Sequence, residues 1–212
     1  MRKPLPASAP RALVKRDNRV RIIGGRWRGR KLRFPDGDGL RPTGDRIRET
    51  LFNWLMPALP AARCLDLFAG SGALGFEALS RGAASCMLVE RNPQAVKCLQ
   101  DAKLLLEADT AAIIAADSAH WLSTATGVFD IVFIDPPFAD ASQVPAALVA
   151  TLEQRGLLSA DPWIYIEQPA SSVQIFPAGF VQHRSQRAGQ VSYSGWRRAE
   201  NIPWVHDQIG CH

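Results

Sequence analysis

Two short stretches of this 212-residue chain carry side chains whose types and spacing could do chemistry. Residues 66–75 read DLFAGSGALG and residues 135–138 read DPPF. In the first stretch an apolar strand ends at Asp66, Gly70 and Gly72 permit a tight turn, and a helical pattern follows. A strand, a glycine turn and a helix N-terminus together predict a cofactor site at the carboxyl end of a parallel sheet.

Asp66 decides which cofactor fits this turn. The spacing Gly70-x-Gly72-x-x-Gly75 also matches the dinucleotide fingerprint. However, a carboxylate at the end of the first strand repels the pyrophosphate of NAD, which needs backbone N–H groups and the positive helix end. S-adenosylmethionine (SAM) has no phosphate, and its ammonium and sulfonium groups are attracted by an acid. The sequence therefore favours SAM, with Glu90 as the acid that binds its ribose hydroxyls.

Acidic residues lie at the carboxyl ends of four successive predicted strands: Asp66, Glu90, Asp117 and Asp135. In a doubly wound sheet these ends open into one crevice, and acids avoid burial unless they are paired or functional. We expect Asp66 to face the SAM amino group, Asp117 with Ser118 to lie against the adenine, and Asp135 to point at the substrate. The predicted cofactor-binding residues are Asp66, Phe68, Ala69, Gly70, Ser71, Gly72, Glu90, Arg91, Asp117 and Ser118.

The second stretch predicts a rigid turn rich in hydrogen-bond acceptors. Its two prolines fix φ and remove two backbone donors, which leaves the Asp135 carboxylate and the Pro136 carbonyl as acceptors for an exocyclic amine of a base. Asp135 could also take the proton that leaves the amine when its nitrogen receives the methyl group of SAM. Phe138 offers a flat face to a base that is flipped into the pocket. Asp135, Pro136 and Phe138 are therefore the predicted catalytic residues, and no metal is required.

The elements that position these residues read as alternating strands and helices. The pattern predicts an α/β fold with a doubly wound, mostly parallel sheet that ends in an antiparallel edge. The predicted strands are 63–68, 85–90, 111–116, 129–134, 163–167, 173–176, 180–186 and 190–193, and the predicted helices of the core are 73–81, 93–107 and 143–154.

Charge is distributed unevenly along the chain. The net charge is +5, but residues 1–50 hold 15 Lys/Arg and 5 Asp/Glu, whereas the remainder holds 10 and 15. A basic N-terminal part predicts a polyanionic partner.

A β-hairpin is predicted from about residue 19, with a loop, RWRGRK at 26–31, that interleaves cations with Trp27. Such a loop can pair with RNA phosphates and stack on an unpaired base.

An amphipathic helix follows this hairpin, with Ile47, Leu51 and Leu55 on one face. Thr43 is a candidate N-cap of this helix, and Arg41 and Arg46 are expected near the mouth of the site. The predicted RNA-binding residues are Arg26, Arg28, Arg30, Lys31, Arg41, Thr43 and Arg46.

The remaining features limit the class of protein. The four cysteines lack metal-ligand spacing and fit a reducing cytoplasm, and no stretch resembles a signal peptide or a membrane span. We predict a basic disordered tail at 1–18, a hairpin extension at 19–40, a SAM-dependent methyltransferase domain at 41–205 and a short tail at 206–212.

The motifs together resemble one known family. The cofactor turn resembles that of class I SAM-dependent methyltransferases, and residues 135–138 resemble the amino-methyltransferase signature. With IGGRWRGR at 23–30, RPTGDRIRETLFNWL at 41–55 and AGQVSY at 188–193, the chain is similar to the RsmD family. The resemblance implies methylation of N2 of one guanine in 16S rRNA of the small ribosomal subunit or its late precursor. It also implies a cytoplasmic monomer with a seven-stranded methyltransferase sheet and an N-terminal hairpin.

Two other functions are compatible with these motifs. A DNA adenine-N6 methyltransferase uses the same chemistry, although the chain shows no separate target-recognition domain. A non-catalytic RNA-binding assembly factor could retain the fold, although both the cofactor and the catalytic motif are intact.

Overall fold

The computed structural model describes residues 18–35, 43–137, 144–172 and 179–201. Within these ranges the chain forms nine strands, five α-helices and one 3₁₀ turn. In chain order they are β1 (Arg19–Arg21), β2 (Lys31–Arg33), α1 (Asp45–Leu55), β3 (Arg63–Asp66), α2 (Ala73–Ser80), β4 (Ser85–Glu90), α3 (Pro93–Leu106), β5 (Ala111–Ala115), α4 (Ser118–Leu122), β6 (Phe129–Ile134), α5 (Val144–Gln154), β7 (Leu158–Pro169), β8 (Phe180–Ala188), β9 (Val191–Arg198) and the 3₁₀ turn Ala199–Asn201.

A seven-stranded sheet forms the centre of the protein, in the order β5-β4-β3-β6-β7-β9-β8. The strands from β5 to β7 pair in parallel, and β9 pairs antiparallel with both β7 and β8. The predicted α/β sheet with an antiparallel edge is thus confirmed. The chain first proceeds from β3 towards β5 and then returns to place β6 on the other side of β3, so a crevice opens between the carboxyl ends of β3 and β6.

Burial on both faces explains why the central strands are apolar throughout. The last four residues of β6, Ile131 to Ile134, are fully buried and alternate between two hydrophobic clusters. One cluster includes Phe52 of α1 and Phe76 of α2, and the other includes Leu122 of α4 and Val149 of α5. Helices therefore cover both faces of the sheet, as parallel strands require.

Some element boundaries differ from the sequence predictions. Helix α4 was not predicted, because its five residues are too few to show a helical period; Asp117 forms its N-cap by accepting hydrogen bonds from the Ala119 and His120 amides. Strand β7 starts at Leu158, five residues before the predicted start. Several predictions lie outside the described residues: the basic disordered tail at 1–18 (except Asn18), the boundary at residue 40, the strand at 173–176, the domain end at 205 and the tail at 206–212.

The N-terminal hairpin packs against α2. Strands β1 and β2 pair antiparallel, and the loop between them is held by Ser80, whose hydroxyl accepts from the Trp27 amide at 2.9 Å and donates to the Gly24 carbonyl at 2.6 Å. Gly25 makes this approach possible. Its φ is +73°, and a Cβ there would lie 1.9 Å from the Ser80 carbonyl oxygen.

Across the described ranges, no helix is long and apolar enough to cross a bilayer. Cys64 and Cys86 are buried free thiols in neighbouring strands, and burial raises the pKa of both.

Candidate active site

A cavity of about 760 Å³ lies at the carboxyl ends of the parallel strands. The structure brings the four acids of the sequence analysis together around it. The predicted site residues that line it are Thr43, Asp66, Phe68, Ala69, Gly70, Ser71, Glu90, Arg91, Asp117, Ser118, Asp135 and Pro136.

Gly72 is the predicted cofactor residue that does not line the cavity. It is the N-cap residue of α2, with φ of 75°. A Cβ at this position would lie 2.5 Å from the Phe76 ring. Gly72 is therefore required for the close turn between β3 and α2 rather than for space in the cavity.

Asp66 is almost completely buried at the floor of the cavity, where its side chain is only partly satisfied. Its Oδ2 accepts a hydrogen bond from the Gly75 amide at 3.1 Å, and among the residues that the structure describes its Oδ1 completes no hydrogen bond of ordinary geometry. Burial, followed by the charge of Asp135, raises the pKa of Asp66 to about 7, against the opposing effect of the Gly75 and Phe68 amides. An acceptor oxygen buried in this way suits a cationic ligand group.

Glu90 and Ser118 also line the cavity. Glu90 accepts from the Gly70 amide at 2.8 Å and from the Asn92 amide at 2.7 Å. The Ser118 hydroxyl donates to the Leu67 carbonyl, which joins the start of α4 to the turn after β3. Asp117 uses one carboxylate oxygen as the cap of α4, which leaves the other oxygen for a ligand.

Asp135 lies at the opposite side of the crevice, directly after β6. Its Oδ2 accepts a hydrogen bond from the Thr43 hydroxyl at 2.8 Å. Burial raises the pKa of Asp135, and the Thr43 hydrogen bond acts in the other direction. A carboxylate whose pKa is raised towards neutrality is a better proton acceptor than an ordinary aspartate.

Comparison with known proteins identifies the family of this chain. The family model described as Conserved hypothetical protein 95 matches residues 20–197. The protein of Escherichia coli (strain K12) named Ribosomal RNA small subunit methyltransferase D is 44% identical over 180 residues, which cover 84% of this chain and 90% of that protein. The chain belongs to the RsmD family.

Two further relatives agree with this membership. The Haemophilus influenzae protein of the same name is 41% identical over 186 residues, covering 82% of this chain and 91% of the relative. The solved structure of the Escherichia coli protein yhhF superposes with a TM-score of 0.78 at 43% identity, covering 85% of this chain and 98% of that one. The family resemblance inferred from the motifs is confirmed.

Sequence reasoning missed one acid of this RsmD-family site. Glu167 lies near the carboxyl end of β7, lines the same cavity and is 7% exposed. The buried Tyr165 hydroxyl donates to its Oε2 at 2.9 Å. Burial and the charge of Asp135 raise the pKa of Glu167. The sequence does indicate Glu167, because this residue ends the predicted fifth strand. The other four acids were identified by the same criterion, an acid at the carboxyl end of a predicted strand.

Thr43 does not have the predicted N-cap role, whereas its predicted contact with RNA stays a prediction. The N-cap residue of α1 is Gly44, and no side chain caps this helix. The Thr43 side chain instead points into the cavity and contacts Asp135 and Glu167. The expectation of an N-cap at Thr43 was therefore wrong, because the hydroxyl is committed to the acids of the site.

The predicted RNA-binding cations lie on the surface of this RsmD-family chain. Arg26, Arg28, Arg30 and Lys31 are exposed in and beside the hairpin loop, and Arg46 is exposed in the first turn of α1. The predictions for Arg41 and Phe138 lie outside the described residues.

Trp27 does not have the predicted orientation. It is 8% exposed and belongs to the hydrophobic core, and the Arg26 guanidinium lies 4.0 Å from the centre of its ring. The expectation that Trp27 stacks on a base was therefore wrong. Its large apolar surface stabilises the hairpin loop against the domain instead.

Proposed function

We propose that this protein transfers a methyl group from SAM to the exocyclic N2 of a guanine in 16S rRNA of the small ribosomal subunit. The observation that carries the proposal is the placement of Asp135 in one cavity with Asp66 and Glu90. The relatives named Ribosomal RNA small subunit methyltransferase D support the substrate class. In this proposal the protein acts as a cytoplasmic monomer on assembled subunits or late precursors.

The residues around β3 and β4 would hold the methyl donor. The Oδ1 of Asp66 would accept a hydrogen bond from the ammonium group of SAM, and each oxygen of Glu90 keeps a lone pair for the ribose hydroxyls. Asp117 and Ser118 would line the adenine side. SAM supplies an electrophilic methyl group, so the remaining task of the protein is alignment and desolvation.

Asp135 and Pro136 would orient the amine that accepts the methyl group. With Oδ2 held by Thr43, the other oxygen of Asp135 and the Pro136 carbonyl are available as acceptors for the two amine hydrogens. A nitrogen–carbon bond forms as the sulfur–carbon bond breaks, and the proton lost from nitrogen passes to Asp135. The raised pKa of Asp135 favours that last step.

Glu167 lies beside Asp135, where its ionised carboxylate would pair with guanine and its protonated form with adenine. Guanine presents its N1–H next to its N2 amine, so two neighbouring carboxyls can accept from both groups. Adenine presents an acceptor, N1, beside its N6 amine. Pairing with adenine would require a protonated Glu167, a state that the raised pKa of this residue also permits. The product nucleoside distinguishes the two bases.

The exposed cations of the hairpin would contact rRNA phosphates. Arg26, Arg28, Arg30 and Lys31 form a dense positive surface, and Arg46 adds to it from α1. We extend the proposal to Arg41 and to Phe138 as a stacking face for the flipped base.

The test is methyl transfer from labelled SAM to small subunits from cells that lack the enzyme, with the nucleoside product identified by mass spectrometry. We expect N2-methylguanosine from the wild type and none from Asp135→Ala, which should bind SAM with near wild-type affinity by calorimetry. Formation of N6-methyladenosine would support methyl transfer to an exocyclic amine but contradict guanine as the target base. SAM binding without product would favour a binding or assembly function, and a loss of SAM binding in Asp135→Ala would contradict the substrate-facing role of Asp135.

A further inference from the structure

Thr43 connects the catalytic acid to the interior of the protein. Its hydroxyl donates to Asp135 Oδ2, and its backbone carbonyl accepts a hydrogen bond from Arg48 Nε at 3.1 Å. Thr43 is 6% exposed and immediately precedes α1. The backbone position of Thr43, and hence the direction of the Asp135 carboxylate, depends on the Arg48 guanidinium.

Arg48 is a completely buried cation in α1 and is not one of the residues that line the cavity. Besides Thr43, its guanidinium donates to the Arg21 carbonyl at 2.9 Å and to Asp45 Oδ1 at 2.7 Å, and it lies 3.5 Å from Glu77 Oε2. A planar fork of N–H donors thus joins strand β1, the start of α1 and helix α2. Stabilising these elements with apolar residues would avoid the cost of burying a charge, so an ionic cluster here calls for a further reason.

Glu77 continues the connection to the hairpin loop. Its side chain is fully buried in α2, and its two carboxylate oxygens accept from the Ile23 amide at 2.7 Å and the Gly24 amide at 2.8 Å. Arg81 donates to the same carboxylate at 2.7 Å. A continuous set of hydrogen bonds and ion pairs therefore runs from the loop that carries the exposed cations, through Glu77, Arg48 and Thr43, to Asp135.

We propose that Arg48 and Thr43 are positioning residues for Asp135, and that the orientation of this carboxylate depends on the seating of the hairpin on α2. The inference rests on the proposed methyl transfer. It explains why a buried ion pair is placed between an RNA-facing loop and the catalytic turn: correct seating of the loop fixes one oxygen of Asp135 and leaves the other for the amine.

The first test compares Thr43→Val, which removes the hydroxyl at nearly constant volume, with Thr43→Ser, which retains it. We expect Thr43→Val to lower kcat on small subunits at least about tenfold, because the carboxylate loses its fixed direction. The KM for subunits and the calorimetric Kd for SAM should stay within about twofold of wild type, and Thr43→Ser should recover kcat to within about threefold.

These readouts separate positioning from plain stabilisation. An equal loss of kcat in Thr43→Ser and Thr43→Val, or wild-type kcat in Thr43→Val, would overturn the inference. The same assay records whether the wild type forms N2-methylguanosine, so a failure of the proposed function is seen independently of the Thr43 variants.

The second test asks whether Arg48 acts through Thr43. Arg48→Lys keeps the charge but lacks the planar guanidinium with its several N–H donors, so it should lower kcat. The kcat of the double variant Thr43→Val/Arg48→Lys should be no lower than that of Thr43→Val alone. Losses that multiply would show that Arg48 does not act through Thr43. If Arg48→Lys gives no cooperative melting transition, Ser80→Ala tests the seating of the hairpin instead, because it removes the contacts of the loop with Trp27 and Gly24. We expect Ser80→Ala to lower kcat on small subunits, and wild-type kcat in this variant would overturn the dependence of Asp135 on the seating of the hairpin.

Discussion

The Glu90 carboxylate accepts a hydrogen bond from the Gly70 amide at 2.8 Å, which joins the end of β4 to the turn after β3. Its second oxygen accepts from the Asn92 amide at 2.7 Å, just before α3. The acid that we propose for ribose binding therefore also holds the cofactor turn in shape. Preorganisation of this kind reduces the cost of binding a ligand.

Replacing Glu90 by Gln should weaken SAM binding even though the size of the side chain is kept. A Gln has one acceptor atom for two backbone N–H groups, so its NH₂ group must face either Gly70 or Asn92. We expect an affinity loss of at least about tenfold, or ~1.4 kcal/mol, by calorimetry. Asp101→Asn, which changes an exposed acid of α3, is the matched control and should bind normally. Normal SAM binding by Glu90→Gln would remove Glu90 from the cofactor site.

The ligand-free protein should lose stability as the pH rises through neutrality. The pKa of Asp66 is raised to about 7, so its contribution to stability is present in acid and is lost as the carboxyl ionises. Asp135 and Glu167, whose pKa values are also raised, add in the same direction. The melting temperature should fall between about pH 5 and pH 8.

Asp66→Asn provides the control for this pH dependence, because it cannot ionise. Its melting temperature should change less with pH than that of the wild type, and SAM should stabilise it less at about pH 8 because no charge attracts the ammonium. Identical pH profiles for the two proteins would show that Asp66 does not ionise in this range.

Removing the cations of the hairpin loop should weaken RNA binding and reduce its dependence on salt. The triple variant Arg26→Ala, Arg28→Ala, Arg30→Ala lacks three exposed charges. If each contacts one phosphate, the slope of log K against log salt should decrease by about 2 to 3. Titrations of small subunits at several salt concentrations measure this slope. The control Lys97→Ala, which removes an exposed cation of α3, should leave the slope unchanged. An unaltered slope in the triple variant would mean that the loop is only solvated.

Two glycines of the hairpin allow the stability cost of backbone strain to be distinguished from the cost of a side chain packed against α2. Gly25 and Gly29 have similar φ values, +73° and +84°, but only Gly25 lies against α2; nothing is within 4 Å of the Cβ position at Gly29. Gly29→Ala should cost about 1 kcal/mol in urea unfolding from the positive φ alone. Gly25→Ala should cost more, because it must also displace the loop from Ser80. Equal losses would show that the contact with α2 contributes nothing to stability.

Local patterns were sufficient to predict most of the fold and the glycine turn between β3 and α2. The glycines between Asp66 and Gly75, the apolar run of β6 and the proline at the start of α3 each report on neighbouring residues only. Parallel strands present their carboxyl ends at one edge, so the convergence of Asp66, Glu90, Asp117 and Asp135 also followed from the order of the elements. Helix α4 was missed because five residues carry too little periodicity.

What the sequence determined by itself was therefore the class of fold, the family and four acids of the cavity, since these depend on residue type and chain order. The tertiary structure decided which way individual side chains point. Trp27 lies in the core with its amide bonded to Ser80 of α2, Thr43 donates to Asp135, 92 residues away, and Arg48 of α1 is buried beside Glu77 of α2. Such contacts join residues far apart in the chain, and no local pattern encodes them, because the sequence around a helical Arg does not show whether its side chain is solvated or buried.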